Sequence, residues 1–140
     1  MTTRSPVTDA RTAWLRTAIL CGLGYFLVGR LFAVPGEHAH AWRLAAWAVS
    51  GIIYATHFWF ERVRLRSEPR TLALHVATGV AIGAFSLALA LMFRSVAAKG
   101  SLEPTWLLAL VLFPAFTAVP AFVVGLVAAV ALSRRGGSTG

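Results

Sequence analysis

Four long apolar runs, separated by short segments that carry most of the charges, constrain the fold of this chain more than any other feature. The runs cover residues 13–34, 41–60, 71–93 and 105–132. A bilayer core about 30 Å thick takes about 20 apolar residues to cross as a helix. Each run reaches that length, so the sequence predicts four membrane-spanning segments.

The spanning segments are expected to be helices, because none of them shows the period-two alternation of a barrel strand. A helix also satisfies its own backbone hydrogen bonds in lipid. Short connections make consecutive helices antiparallel neighbours. The predicted fold class is therefore an all-α integral membrane protein, an antiparallel four-helix transmembrane bundle. We expect a single membrane domain over residues 1–140, with no soluble domain and no cleaved signal peptide.

The basic residues predict the orientation of the bundle. Nine of the 13 Lys and Arg residues lie in or close to the N-terminal segment, the second connection and the C-terminal segment, against four in or close to the other two connections. Because cytoplasmic loops collect Lys and Arg, both termini are expected in the cytoplasm, in a multi-pass protein of the bacterial inner membrane. The same placement explains the net charge of +8 without nucleic acid. The nine residues are Arg4, Arg11, Arg16, Arg62, Arg64, Arg66, Arg70, Arg134 and Arg135.

Small residues mark candidate packing surfaces. The third run contains Gly79 and Gly83 in a Gly-xxx-Gly motif, and the fourth contains Gly125 within a series of small residues four apart. Such spacing lets two helix backbones approach closely. Packing within the bundle is the first interpretation, and an interface with a second copy or another subunit is the alternative.

The fourth run contains Pro114 and Pro120 near its middle. Each proline lacks a backbone donor and crowds the preceding turn, so we expect a kink there. A static bend is one interpretation of this pair, and a hinge or an exposed carbonyl that meets a ligand is the other.

One polar constellation is a candidate for chemistry. His57 and Glu61 are four residues apart on the second helix, with Tyr54 one turn deeper on about the same face. His75 lies about one turn into the third helix and is expected at a similar depth. Two imidazoles and a carboxylate could bind a divalent metal, and two imidazoles could ligate haem. A hydrogen-bonded structural network is the first interpretation, and a metal or haem site and a proton-handling or quinone-type site are the alternatives.

Several activities are disfavoured by what the sequence lacks. It has no Ser-His-Asp order, phosphate loop or His-Glu-x-x-His motif, and Cys21 is its only cysteine. No acidic residue lies in the middle of a run, where coupled transporters need one. We therefore expect a non-catalytic assembly or accessory module without a cofactor, whose partners are the lipid bilayer and copies of itself or a larger membrane complex. The alternatives are a small oligomeric transporter or channel, and a haem-, quinone- or metal-binding redox subunit that uses His57 and His75.

Overall fold

A computed structural model describes residues 6–32 and 38–136, and the side chains of residues 12–32 and 38–134. The described part consists of four helices and contains no strand, which confirms the prediction of an all-α chain. Proline followed by glycine breaks a helix, so the sequence predicts that the first span ends at Pro35 and Gly36, which lie outside the described residues. The helices are α1 (Pro6–Leu31), α2 (Ala39–Val63), α3 (Pro69–Lys99) and α4 (Pro104–Gly136).

Three helical segments are long and apolar enough to cross a membrane, which indicates a membrane protein. They are Thr12–Leu31, Pro69–Lys99 and Pro104–Arg134. The second predicted span forms a helix of sufficient length, but α2 is not among these segments. The physical reason is that histidines and charged side chains lie near both of its ends and reduce its hydropathy. These side chains are His40, Arg43, His57, Glu61 and Arg62.

Local sequence explains where α3 begins and ends. Pro69 occupies the first turn, where its missing N–H costs nothing. Gly100 ends the helix in the left-handed conformation, with φ of 72°, and its N–H bonds to the carbonyl of Val96. A side chain at this position would be strained, so glycine fits the C-terminus of the helix.

The helix α3 is central to the packing, because it contacts α4 and α1 far more extensively than it contacts α2. In turn, α2 packs mainly against α1. Small side chains let α3 approach its neighbours closely, and their burial leaves larger residues to face outward. The buried hydrophobic residues of α3 are Leu72, Ala73, Val76, Ala77, Ala84 and Ala88.

Both glycines of the Gly-xxx-Gly motif lie against other helices of the same chain. A Cβ on Gly83 would come within 2.5 Å of the Cβ of Tyr25 and 2.9 Å of the Gly22 carbonyl oxygen. A Cβ on Gly79 would come within 3.1 Å of Cε1 of His57. The motif therefore brings α1 and α2 close to α3 inside one chain.

The fourth helix continues without a break through both prolines. The hydroxyl of Thr117 donates to the carbonyls of Phe113 and Pro114, at 3.0 Å each. These bonds tie the segment between the prolines to the preceding turn. A hinge at Pro114 and Pro120 stays a prediction.

Candidate functional site

A buried carboxylate near the end of α2 holds two helices and their connection together. The Glu61 side chain is fully buried. Its Oε2 accepts a hydrogen bond of 2.9 Å from the Ser67 hydroxyl and lies 2.9 Å from Nδ1 of His75. We call His57, Glu61, Ser67 and His75 the Glu61 cluster.

The backbone after α2 turns back to place Ser67 at the carboxylate. Arg66 adopts a positive φ of 49°, an uncommon conformation for a residue with a side chain. The next residue donates its backbone N–H to the Glu61 carbonyl oxygen at 3.3 Å. Main chain and side chain of Ser67 thus both bond to Glu61. Pro69 then begins α3, whose second turn carries His75.

The second histidine of the cluster is buried but not hydrogen-bonded. His57 is 1% exposed, and its Nε2 lies 3.9 Å from Oε1 of Glu61, too far for a hydrogen bond. Within the described part of the chain, neither ring nitrogen of His57 nor Oε1 of Glu61 has a hydrogen-bond partner. Gly79 makes room for this ring, because a side chain at that position would crowd its Cε1 atom.

An aromatic ring covers the outer side of the cluster. Trp14 of α1 stacks on the His75 ring, with centroids 4.3 Å apart and planes 4° from parallel. The His75 side chain remains 17% exposed, so it is the member of the histidine–glutamate trio that reaches the surface.

Tyr54 lies apart from the hydrogen bonds of the cluster, although it was expected on about the same helix face. Its hydroxyl donates to the Ala121 carbonyl oxygen of α4 at 2.6 Å. Gly125 makes this approach feasible, since a Cβ there would lie 2.9 Å from the same hydroxyl. Tyr54 and Gly125 therefore join α2 to α4.

A mostly apolar cleft of about 600 Å³ opens beside that contact. Side chains from all four helices line it, and Tyr54 stands at its border with the core formed by Phe58, Leu72, Val76 and Ala129. Its lining includes Trp47 and Gly51 of α2 and Phe116 and Pro120 of α4. The cleft thus separates parts of α2 and α4 that do not pack against each other.

The described residues of the Glu61 cluster do not fit a metal or a haem. Among the described side chains, no group of three or more His, Cys, Asp or Glu residues is arranged to hold a metal ion. Two axial imidazoles must face each other across a haem iron. Here the Glu61 carboxylate lies 2.9 Å from one imidazole and 3.9 Å from the other, so it occupies the place of the iron.

Reasoning from sequence brought His57, Glu61 and His75 together but missed Ser67 and Trp14. From the sequence, Arg62, Arg64 or a neighbouring helix end could pair with Glu61. Throughout the described residues, however, its ion pairs are with histidines alone. No sequence signal marks Ser67, because its position depends on the positive φ of the preceding residue. Trp14 carried a signal only as an aromatic residue near a membrane interface.

Comparisons with protein-family models, with curated proteins and with solved structures gave no match to this chain.

Proposed function

We propose that this chain is a four-span protein of a bacterial inner membrane with both termini in the cytoplasm. In this proposal it is a non-catalytic module that assembles with a transmembrane helix of a neighbouring subunit. The observation that carries the assembly role is the open surface of α2 along the cleft, where a Cβ added to Gly51 would meet no other atom within 4 Å.

The contacts of α2 support its role as a fourth span. Its Ile53 packs on Gly24 of α1, its His57 on Gly79 of α3, and its Tyr54 bonds to α4. A helix lying on the membrane surface would not contact three spanning helices in this way. The polar residues of α2 lie near its ends, where a spanning helix meets water and headgroups.

The geometry of the Glu61 cluster supports a non-catalytic role. The carboxylate is fully buried, and its Oε2 is bonded to Ser67 and His75 of the same chain. A catalytic carboxylate must come within hydrogen-bond reach of its substrate. This one is enclosed by its own helices and leaves no room for a substrate beside it.

The distribution of small residues supports an assembly surface on α2. The small residues of α3 are covered by helices of the same chain, whereas Gly51 lies open between large apolar side chains. Trp47, one turn away, is 78% exposed, and Phe116 across the cleft is 74% exposed. A small residue flanked by large apolar ones suits the close approach of another transmembrane helix.

Native mass spectrometry after gentle extraction into lipid-containing particles tests the proposal. The wild-type protein is expected to appear as a complex heavier than the 15.0 kDa chain, by whole copies of itself or by another subunit. Gly51→Leu fills the open position and is expected to release the bare chain. Ala48→Leu adds the same side chain at an exposed position of α2 outside the cleft, and it should leave the complex intact.

Two outcomes would contradict the assembly role. One is a wild-type protein that is already a bare chain or carries only lipid-sized additions. The other is a complex that Gly51→Leu and Ala48→Leu leave equally intact. Far-UV circular dichroism of both variants confirms that the helices are present.

A further inference from the structure

Three buried polar atoms of the Glu61 cluster have no hydrogen-bond partner among the described residues. They are Nδ1 and Nε2 of His57 and Oε1 of Glu61, and the last two face each other across 3.9 Å. An unpaired polar atom in a protein interior is destabilising, so such groups rarely collect without a role.

The cluster also connects these unpaired atoms to the surface. His75 is partly exposed, Glu61 is fully buried and His57 is nearly so. One carboxylate oxygen faces each ring: Oε2 lies 2.9 Å from His75, and Oε1 is directed at His57. A proton that arrives at His75 therefore has a continuous series of acceptors leading inward.

We propose that His57 and Glu61 form a buried proton-binding site that is loaded through His75. His75 takes a proton from water at Nε2 and gives its Nδ1 proton to Oε2 of Glu61. The carboxyl group turns by half a rotation, moves toward His57 to close the 3.9 Å gap to hydrogen-bond distance, and passes that proton to Nε2 of His57. His75 ends neutral as its other tautomer, Glu61 is again a carboxylate, and the bound proton makes the hydrogen bond to Glu61 that the unloaded site lacks.

The groups around the site are compatible with one added positive charge. From α1, Trp14 presents its ring face to His75 and Cys21 lies within electrostatic range of Glu61. From the connection, Ser67 donates to the carboxylate. Among the described residues, no Lys or Arg forms an ion pair with Glu61. A proton on His57 would therefore pair with the carboxylate without an immediate cationic competitor. This inference is independent of the assembly role.

Nitrogen NMR of the histidine rings, recorded in lipid nanodiscs as the pH is lowered, tests the site. The chain has 4 histidines, and His38→Gln and His40→Gln simplify the assignment. We expect the His57 ring to gain its second N–H as the pH falls while the protein stays folded. In Glu61→Gln this protonation of His57 is expected to be absent. A His57 ring that stays neutral throughout, or that protonates equally in Glu61→Gln, would overturn the proposal.

Two further variants keep the test decisive if Glu61→Gln does not fold. Ser67→Ala removes a hydrogen bond that stabilises the carboxylate, so Glu61 competes with His57 for the proton and His57 is expected to gain its second N–H at lower pH. Thr78→Ala, whose hydroxyl bonds within its own helix to the Leu74 carbonyl, should change nothing. His75→Phe keeps a ring against Trp14 and is expected to slow proton exchange at His57. Equal profiles for Ser67→Ala and Thr78→Ala, or unchanged exchange in His75→Phe, would exclude the relay.

Discussion

At the scale of single residues, Glu61 stabilises the junction of α2 and α3 more than any other described polar side chain. It is fully buried and bonds to Ser67 and His75. Glu61→Ala leaves both of these groups without an acceptor, and each unpaired group costs about 1–3 kcal/mol. We expect a loss of about 2–4 kcal/mol in the free energy of unfolding, measured by reversible denaturation in mixed micelles.

Glu103 provides the matched control for that substitution. It accepts a hydrogen bond of 2.7 Å from the ammonium group of Lys99, which holds the pKa of this exposed carboxyl below its ordinary value. Since the folded-state pKa is lowered, any stabilisation by this pair is present at neutral pH and is lost as the pH falls through that pKa. Solvent screens the pair, so Glu103→Ala should change stability little. Equal losses in the free energy of unfolding for Glu61→Ala and Glu103→Ala would show that the bonds of Glu61 do not stabilise the fold more than an exposed ion pair does.

Only some residues of the Glu61 cluster could be predicted from the sequence. The spacing of His57 and Glu61 on one helix and the short connection before His75 were sufficient to group these three residues. The partners that complete the cluster depend on tertiary detail. Ser67 reaches Glu61 because Arg66 adopts a positive φ, and Trp14 reaches His75 because α1 packs on α3. Neither the backbone conformation nor the helix pairing can be read from residue spacing.

At the scale of helices, the glycines of α1 and α3 are expected to differ sharply from Gly51. Gly83→Ala places a Cβ within 2.5 Å of Tyr25 and 2.9 Å of a backbone oxygen, which cannot move easily. Such overpacking costs about 1–3 kcal/mol. Gly51→Ala meets no atom within 4 Å and restricts the unfolded chain, so it should stabilise by about 0.4–1 kcal/mol.

Thermal denaturation of the two alanine variants in the same detergent checks this contrast. A lower transition temperature for Gly83→Ala and an equal or higher one for Gly51→Ala are expected. If both variants lost stability to the same extent, the close approach of α1 and α3 at Gly83 would not exist as described.

The hydrogen bond from Tyr54 of α2 to the backbone of α4 gives a second prediction at this scale. Tyr54→Phe removes the donor to the Ala121 carbonyl but keeps the ring in its packed position. We expect a loss of about 1 kcal/mol, typical of one hydrogen bond. Hydrogen exchange should become faster in α4 around Ala121 and stay unchanged in α1. Unchanged exchange at Ala121 would show that Tyr54 does not join the two helices.

Helix type and position could be predicted from the sequence because apolar runs of this length have few alternatives in lipid. The observed helices extend beyond the predicted spans at several ends, since polar residues such as Arg62 and Arg94 continue a helix past the apolar region. The sequence of α2 supports a membrane crossing less strongly than the sequences of the other three helices do. Its terminal histidines and charges lower its hydropathy, and only its contacts with α1, α3 and α4 favour a fourth crossing.

At the scale of the whole molecule, the positions of the two chain termini depend on whether α2 crosses the membrane. With four crossings, both chain termini lie on one side, as the excess of nine basic residues over four predicts. With three crossings, α2 would lie at the surface and the termini would be on opposite sides. The cleft along Gly51 would then face headgroups or water, and the assembly role would not hold.

The number of crossings is measured most directly with reporter fusions that are active on only one side of the membrane. The reporters are placed at the N-terminus and the C-terminus in turn. With four crossings, a reporter active in the cytoplasm is expected to work at both termini, and a reporter active outside is expected to work at neither. A C-terminal reporter that is active outside while the N-terminal one is active in the cytoplasm would contradict the four-span bundle.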